Sequence, residues 1–355
     1  MIMDTSPLVV DVLQDIDDAG RQAQWQAFLD RFGAAAMYCD PRWLAVLRDG
    51  FGAQPYLLQA SAGGRIVGLL PLAFLQSMLF GRFLVSLPYV NWAGVTADSE
   101  AAATALLDRA LEIAEALDVR SLQLRHEHRR AHPGLAHELT GKAQMRLPLG
   151  PQIDETWKQL RSVVRTQVRK GEKQGFTIHW GGVELLDEFY DVFAENMRDL
   201  GTPVFGRSLF LGILQRFAPE GAELCVVRTN GKPVGGAMVV HGPGLTEVPS
   251  ASVLREYRST AANSLMYWRL IQRATERGQQ VFDFGRSTID SSTYAFKLKW
   301  GARPHPVTWQ CFLRKGTAAD LRPESGKYDR MIAVWQRLPV WFTRWIGPPI
   351  VRGIP

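Results

Sequence analysis

A chain of 355 residues is long enough for two globular domains, and 46% hydrophobic with 21% charged residues excludes a disordered or fibrous protein. A net charge of +6 permits an acidic partner without demanding one, and nothing in the sequence points to DNA. Cys39, Cys225 and Cys311 are far apart among apolar neighbours, which argues for buried thiols rather than a disulfide framework or a metal site. The most apolar stretch, Ile66 to Phe80, is broken by Pro71, Gln76 and Ser77, and falls short of the roughly 20 residues of a spanning helix. With no basic region ahead of an apolar one at the start, a cytoplasmic protein is expected.

In chain order, Gln22 to Phe32 reads as a helix, and Asp40-Pro41 opens another through Trp43, Leu44, Leu47 and Phe51. Tyr56–Gln59 and Arg65–Leu75 read as strands joined at Gly63-Gly64, followed by a strand at Phe83–Leu87. Ser99–Leu117 is a long Ala- and Leu-rich helix, and Ser121–Arg125 a strand. His126 to Gly141 is polar and broken by Pro133; its histidines lack the Cys or carboxylate partners of a metal site.

A basic helix is expected at Glu155–Gln174. Next come a strand at Phe176–Trp180, helices at Glu184–Leu200 and Ser208–Phe217, and a strand at Glu223–Thr229. Asn230-Gly231 is a strong hairpin turn before strands Val234–His241 and Thr246–Val253. Helix Thr260–Arg277 leads to a short buried strand, Val281 to Phe284, which Gly285 should end; Pro306–Arg314 is the last strand. Gly64-Arg-Ile-Val-Gly68 matches Gly231-Lys-Pro-Val-Gly235, and strand, helix and strand follow each copy, so an internal duplication is expected. The fold class is therefore α/β (α+β, mixed sheets), with a domain at 1–149, a second at 150–319 and a Trp-rich tail at 320–355.

The second copy ends differently from the first. Val281 to Gly301 contains F-D-F-G-R-S, then Y-A-F-K, then W-G. Without H-R-D or G-x-G-x-x-G elsewhere, its D-F-G does not indicate a kinase. The stretch resembles the FemAB-like transferases, in particular the branch linked to exosortase (PEP-CTERM) and exopolysaccharide systems. The resemblance implies tandem acyltransferase-like domains of the GNAT fold over roughly residues 20 to 320. It also implies a transferase joining an acyl or aminoacyl group to an amine on an anionic or lipid-linked cell-envelope precursor (peptidoglycan or exopolysaccharide). The alternatives are an acyl-CoA-dependent N-acyltransferase and a non-catalytic scaffold of the same fold.

On that reading Asp283, Arg286 and Lys297 are the catalytic candidates, with Ser287 beside Arg286 to position a carbonyl or an anion. Arg258 and Asn263 would hold the donor, and Tyr294, Phe296 and Trp300 would wall the cleft, unless they are simply core. His241, Glu247, Glu256 and Tyr257 remain as possible general bases. Acyl-CoA enzymes of the fold bind pyrophosphate at a glycine-rich helix start. Here Ala261 and Asn263 stand where glycines would be, which favours an aminoacyl-tRNA donor over acyl-CoA.

Arg161, Arg165 and Arg169 recur every four residues, as a phosphate-binding rail or a solvated face. In the tail, Arg330, Arg337 and Arg344 recur every seven, among Met331, Val334, Trp335, Leu338, Trp341, Phe342 and Trp345. With Pro339 kinking or splitting it, segment 324–355 is expected either to lie on a membrane surface or to pack back on a domain and hide its tryptophans.

Overall fold

Two glycine-bearing turns begin the long strand of each sheet. The computed structural model describes residues 7–78, 80–317 and 329–354. In it Gly63-Gly64 have φ 56° and 75°, and Asn230-Gly231 φ 48° and 76°. Two successive positive φ values match the twist of antiparallel strands, which is why Gly and Asn occupy these positions.

The chain begins with β1 (Val9–Leu13), α1 (Ala19–Leu29), a 3-10 stretch (Asp30–Cys39), α2 (Arg42–Phe51), β2 (Gln54–Ala62), β3 (Arg65–Ser77) and β4 (Gly81–Val85). β5 (Thr96–Ala97), α3 (Glu100–Ala116), β6 (Ser121–Leu124) and β7 (His137–Leu139) follow. Next are β8 (Lys142–Pro148), α4 (Ile153–Gln159), α5 (Ser162–Glu172), β9 (Thr177–Gly181), α6 (Leu186–Leu200), α7 (Arg207–Phe217), β10 (Ala222–Thr229), β11 (Lys232–Gly242) and β12 (Leu245–Val253). Then come α8 (Ala262–Glu276), β13 (Val281–Thr288), α9 (Ser292–Lys299), β14 (Arg303–Pro306) and β15 (Trp309–Leu313). Two short helices, α10 (Asp329–Trp335) and α11 (Val340–Val351), come last. The start of the expected tail, residues 320–328, lies outside the described residues.

These elements form two units. The first holds β1 to β7 and β15; the second holds β8 to β14 with α10 and α11. The first sheet has the order β1-β2-β3-β4-β6-β15-β7, with β5 against β3, and the second β9-β10-β11-β12-β13-β8-β14. The orders correspond strand for strand. Each starts as an antiparallel meander, and each contains a parallel pair, β4 with β6 and β12 with β13. A helix makes the crossover that parallel strands require, α3 in one unit and α8 in the other. Ser99 caps α3 by accepting the Ala102 N–H, and the helix buries Leu106, Leu107, Ala110 and Ile113 on its sheet. α8 buries Met266, Leu270 and Ile271 in the same way.

Four local expectations change. The basic helix is two helices, because Leu160 is extended (ψ 142°) and drives its side chain into the core. β8 is a strand that sequence reading does not place. Gly285 does not end its strand: at φ 75° it sits within a bulge, and β13 runs on to Thr288. The tail is split at Pro339 as expected, but the split separates its arginines: Arg330 lies on α10, Arg337 between the helices, and Arg344 on α11, paired with Asp191 of α6 at 2.6 Å. Arg330, Arg337 and Arg344 therefore do not form one basic helical face. Among the described residues, no helix is long and apolar enough to cross a membrane.

Candidate active site

The second sheet forks at its parallel pair. β12 and β13 are in register only through Leu245↔Val281, Thr246↔Phe282 and Glu247↔Asp283. Beyond that point β12 follows β11 and β13 follows β8, each past an irregularity in its ladder. Two carboxylates, Glu247 and Asp283, thus stand where the strands part. Opposed residues share a face of the sheet. Asp283 opposes Arg146 and Arg286 opposes Gln144, so the fork carries two carboxylates, two guanidinium groups and an amide on one face.

The contacts are specific. Arg146 Nε donates to Asp283 Oδ2 at 3.0 Å, and the Gly285 N–H donates to Asp283 Oδ1 at 2.8 Å. The positive φ of Gly285 turns that N–H back toward the carboxylate; a side chain there would strain the backbone. Lys297 reaches in from α9, whose cap Ser291 accepts the Tyr294 N–H. Its Nζ donates to the carbonyls of Gly285 at 2.9 Å and Arg286 at 3.3 Å. Glu247, Asp283 and Gln144 are fully buried. Among the described residues, neither amide atom of Gln144 has a hydrogen-bond partner, nor does the buried hydroxyl of Ser287. Unpartnered buried polar groups are costly, and each calls for a partner such as an ordered water, an ion or a ligand.

Burial sets the electrostatics. It raises Asp283 above the ordinary carboxylate range, against the pull of Arg146 and Lys297. It pushes Arg286 down to about 10, against Glu247. Lys297 falls to about 8, again through burial, with Asp283 and Glu247 opposing the fall. Perturbed groups of both signs at the mouth of a strand fork are the usual composition of an active site.

Arg258, expected on the donor side, donates from Nη2 to Asn196 Oδ1 at 3.1 Å, and Asn196 in turn donates to Ser252 Oγ at 3.1 Å. Asn263 is half-buried in the first turn of α8. Ala261 adopts φ 65°, the conformation a glycine would supply, but keeps its methyl group. α5 is seated against this turn. Lys170 Nζ donates to the Ser259 carbonyl at 2.8 Å, and a Cβ on Gly171 would meet the Ala261 carbonyl oxygen at 2.9 Å.

The other candidates are distributed as follows. Phe296 packs with Tyr267 and Trp300, at centroid distances of 5.5 and 6.2 Å, and Tyr294 lies at the edge of the same core. Trp300 is core. Of the earlier candidate bases, Glu256 is exposed and Tyr257 packs against Phe176. His241 binds Thr246 and Glu223, at 2.8 and 3.0 Å. Sequence reading misses Gln144 and Arg146. The signal was the alternation Lys142, Gln144, Arg146 against Ala143, Met145, Leu147, a period of two that marks a half-buried strand.

Arg165 and Arg169 lie one turn apart on α5, Arg161 caps its start, and Arg169 stands 5.7 Å over the Trp157 ring. If these three form a phosphate rail, Gln at all three should weaken binding of a tRNA donor. The plot of log affinity against log salt should flatten by about 0.7 to 0.9 for each phosphate no longer neutralised. Filter binding over a salt series measures this; an unchanged slope would leave the arginines as a solvated face.

Comparison with known proteins places this geometry in a fold. The family of the acetyltransferase (GNAT) domain matches residues 158–298, within the second unit. No curated protein sequence matches the chain. Among solved structures, FemX superposes with a TM-score of 0.57 at 16% identity, over 76% of this chain and 90% of that one. The C-terminal domain (DUF2156) of a protein assigned as a lysylphosphatidylglycerol synthetase from Agrobacterium fabrum gives 0.57 at 13%, over 85% and 94%. A tandem GNAT protein from the clavulanic acid biosynthesis pathway, solved without AcCoA, gives 0.53 at 15%, over 88% and 100%. At these identities the likeness is one of fold: two mixed sheets of tandem GNAT-like domains with a helical C-terminal end.

Proposed function

We propose that the protein is an acyl- or aminoacyl-transferase that forms an amide on a cell-envelope precursor. The observation that carries this reading is the charged fork of the second unit, with Glu247, Asp283, Arg286 and Lys297 around the buried Gln144 amide. The acceptor nitrogen attacks the acyl carbonyl carbon, the ester or thioester bond of the donor breaks, the amine proton passes to a base, and the leaving group takes up a proton. Glu247 is the base in this scheme. Asp283, held by Arg146, fixes the bulge that presents Arg286. Arg286 and the Gln144 amide hold the carbonyl or an adjacent anion, and protonated Lys297 meets the developing negative charge. Ser287 supports that anion, and Arg258 and Asn263 flank the donor. The FemAB-like resemblance, together with the fold likeness to a domain assigned to a lysylphosphatidylglycerol synthetase, supplies the analogy for an aminoacyl donor. The FemAB-like branch resembled by F-D-F-G-R-S supplies the acceptor class, a peptidoglycan or exopolysaccharide precursor.

The second reading, an acyl-CoA donor, is favoured by one feature: Ala261 keeps the left-handed turn. Its methyl group and the seating of α5 against that turn count the other way. Purified protein should therefore bind acetyl-CoA weakly or not at all by titration calorimetry. With aminoacyl-tRNA and a pool of nucleotide-linked and lipid-linked precursors, mass spectrometry should find a new amide. A micromolar acetyl-CoA dissociation constant with acetyl transfer to the pool would replace the aminoacyl reading with the acyl-CoA one.

A further inference from the structure

α11 is turned the opposite way from an ordinary amphipathic helix. Its inward stripe is small: Thr343, Gly347 and Val351 are buried. A Cβ on Gly347 would come within 2.9 Å of the Val204 backbone nitrogen, so only glycine allows this approach. Its outward stripe is large and aromatic, with Trp341 70% and Trp345 72% exposed. Phe342 bridges the two rings at 5.6 and 6.1 Å. α10 adds Met331 and Val334, 67% and 61% exposed. Large apolar groups normally face the core; here a helix well placed to bury them presents them to solvent.

The inward side is firmly held, so this exposure does not come from a loose tail. Arg344 pairs with Asp191 at 2.6 Å and lies 4.9 Å over the Tyr190 ring. Arg198 Nη1 donates to the Leu338 carbonyl at 3.1 Å, and Gln336 Nε2 to the Asp199 carbonyl at 3.0 Å. α6 thus anchors the tail through polar bonds and leaves its tryptophans outward. On α10 and just after it, Arg330 and Arg337 are exposed, and among the described residues neither forms an ion pair.

We infer that this stripe docks on an anionic lipid surface. Tryptophan prefers the boundary between headgroups and acyl chains, and exposed arginines on the same tail favour anionic headgroups. The inference goes beyond the proposed reaction and does not depend on it: it concerns where the enzyme works, and the test below reads no turnover. A second copy of the chain would cover an apolar stripe equally well, but it would gain nothing from the two arginines.

Flotation with phosphatidylcholine vesicles, with and without phosphatidylglycerol, tests it on the full chain. The protein should float with the anionic vesicles, less with the neutral ones, and less at high salt. Trp341→Ser with Trp345→Ser should weaken partitioning by about tenfold per tryptophan and leave the melting temperature unchanged, since both side chains point outward. Arg330→Gln with Arg337→Gln should abolish the preference for phosphatidylglycerol. Failure to float with anionic vesicles overturns the inference, as does undiminished flotation of the tryptophan variant. It is equally overturned if light scattering shows a dimer that the tryptophan variant converts to monomer, because the stripe would then belong to a second copy.

Discussion

Arg286→Ala should lower kcat/KM for amide formation by about 100- to 1,000-fold, the usual cost of removing one donor to a developing oxyanion, while the melting temperature moves by a few degrees at most. The fold survives the substitution for electrostatic reasons. Asp283 has its own partner in Arg146, at 3.0 Å, so deleting Arg286 leaves that pair intact. Burial outweighs the pull of Glu247 and pushes the Arg286 proton affinity down to about 10, so the desolvation cost removed with Arg286 offsets the attraction to Glu247 that is lost. The Arg286 carbonyl that accepts from Lys297 is backbone and survives the substitution. Arg286→Lys should recover only part of the rate, because a point charge replaces a planar fork. Asp283→Ala is the contrasting variant. It leaves Arg146 without its carboxylate and the Gly285 N–H without its acceptor, and should cost about 3 to 5 kcal/mol of stability. A melting curve beside a turnover assay separates the cases: normal turnover by an Arg286→Ala protein that melts much earlier would make Arg286 a structural residue.

Much of this architecture is legible from local patterns because its determinants are local. Asn230-Gly231 can only be a tight hairpin, Ser99 marks a helix start, and the match of Gly64–Gly68 to Gly231–Gly235 reflects two sheets with the same strand order. Asp283, Arg286 and Lys297 stand out as charged groups within and after an apolar run, although the structure places the first two inside β13 and the third on α9. The missing half of the site is non-local. Arg146 lies 137 residues from the carboxylate it binds, on a strand whose neighbours are found only by pairing. Glu247 is one base candidate among four in the sequence; the short register of β12 with β13 is what puts it beside Asp283. The bulge at Gly285 escapes for a related reason, since a glycine after an apolar run reads equally well as a stop. In the tail, composition alone allowed docking on the protein or exposure of the tryptophans. Both occur, on opposite sides of α11, because Gly347 and Thr343 let the backbone approach while Trp341 and Trp345 face away.

A stability effect of the same size as that of Asp283→Ala should come from Glu223, away from the fork. Burial alone would raise this carboxyl, but hydrogen bonds from His241 and Arg273 outweigh it and hold it at about 2. Arg273 donates to both carboxylate oxygens at 2.8 Å, and Arg277 stands at 3.7 Å. Glu223→Ala leaves Arg273, Arg277 and the buried His241 without the carboxylate they share; only Glu276, 3.9 Å from Arg273 and exposed, remains beside them. The expected loss is about 3 to 5 kcal/mol, or a melting temperature lower by about 10 °C. The dependence on pH has a definite sign. A carboxylate depressed in the folded state contributes stability above its unfolded value of about 4.5, and that contribution is lost as pH falls toward about 2. His241 acts in the same direction: burial lowers it below 6.5, so under acid the unfolded chain gains a proton that the folded chain resists. The intact protein should therefore begin to lose stability below about pH 6.5 and lose it faster below about pH 4.5. Because Glu223 also holds His241 up, the gap between the intact protein and Glu223→Ala should hold or widen down to about pH 4.5 and narrow below it as Glu223 itself is protonated. Urea melts across that range measure the gap; one that stays constant, or keeps widening, below about pH 4.5 would show that Glu223 contributes through packing rather than charge.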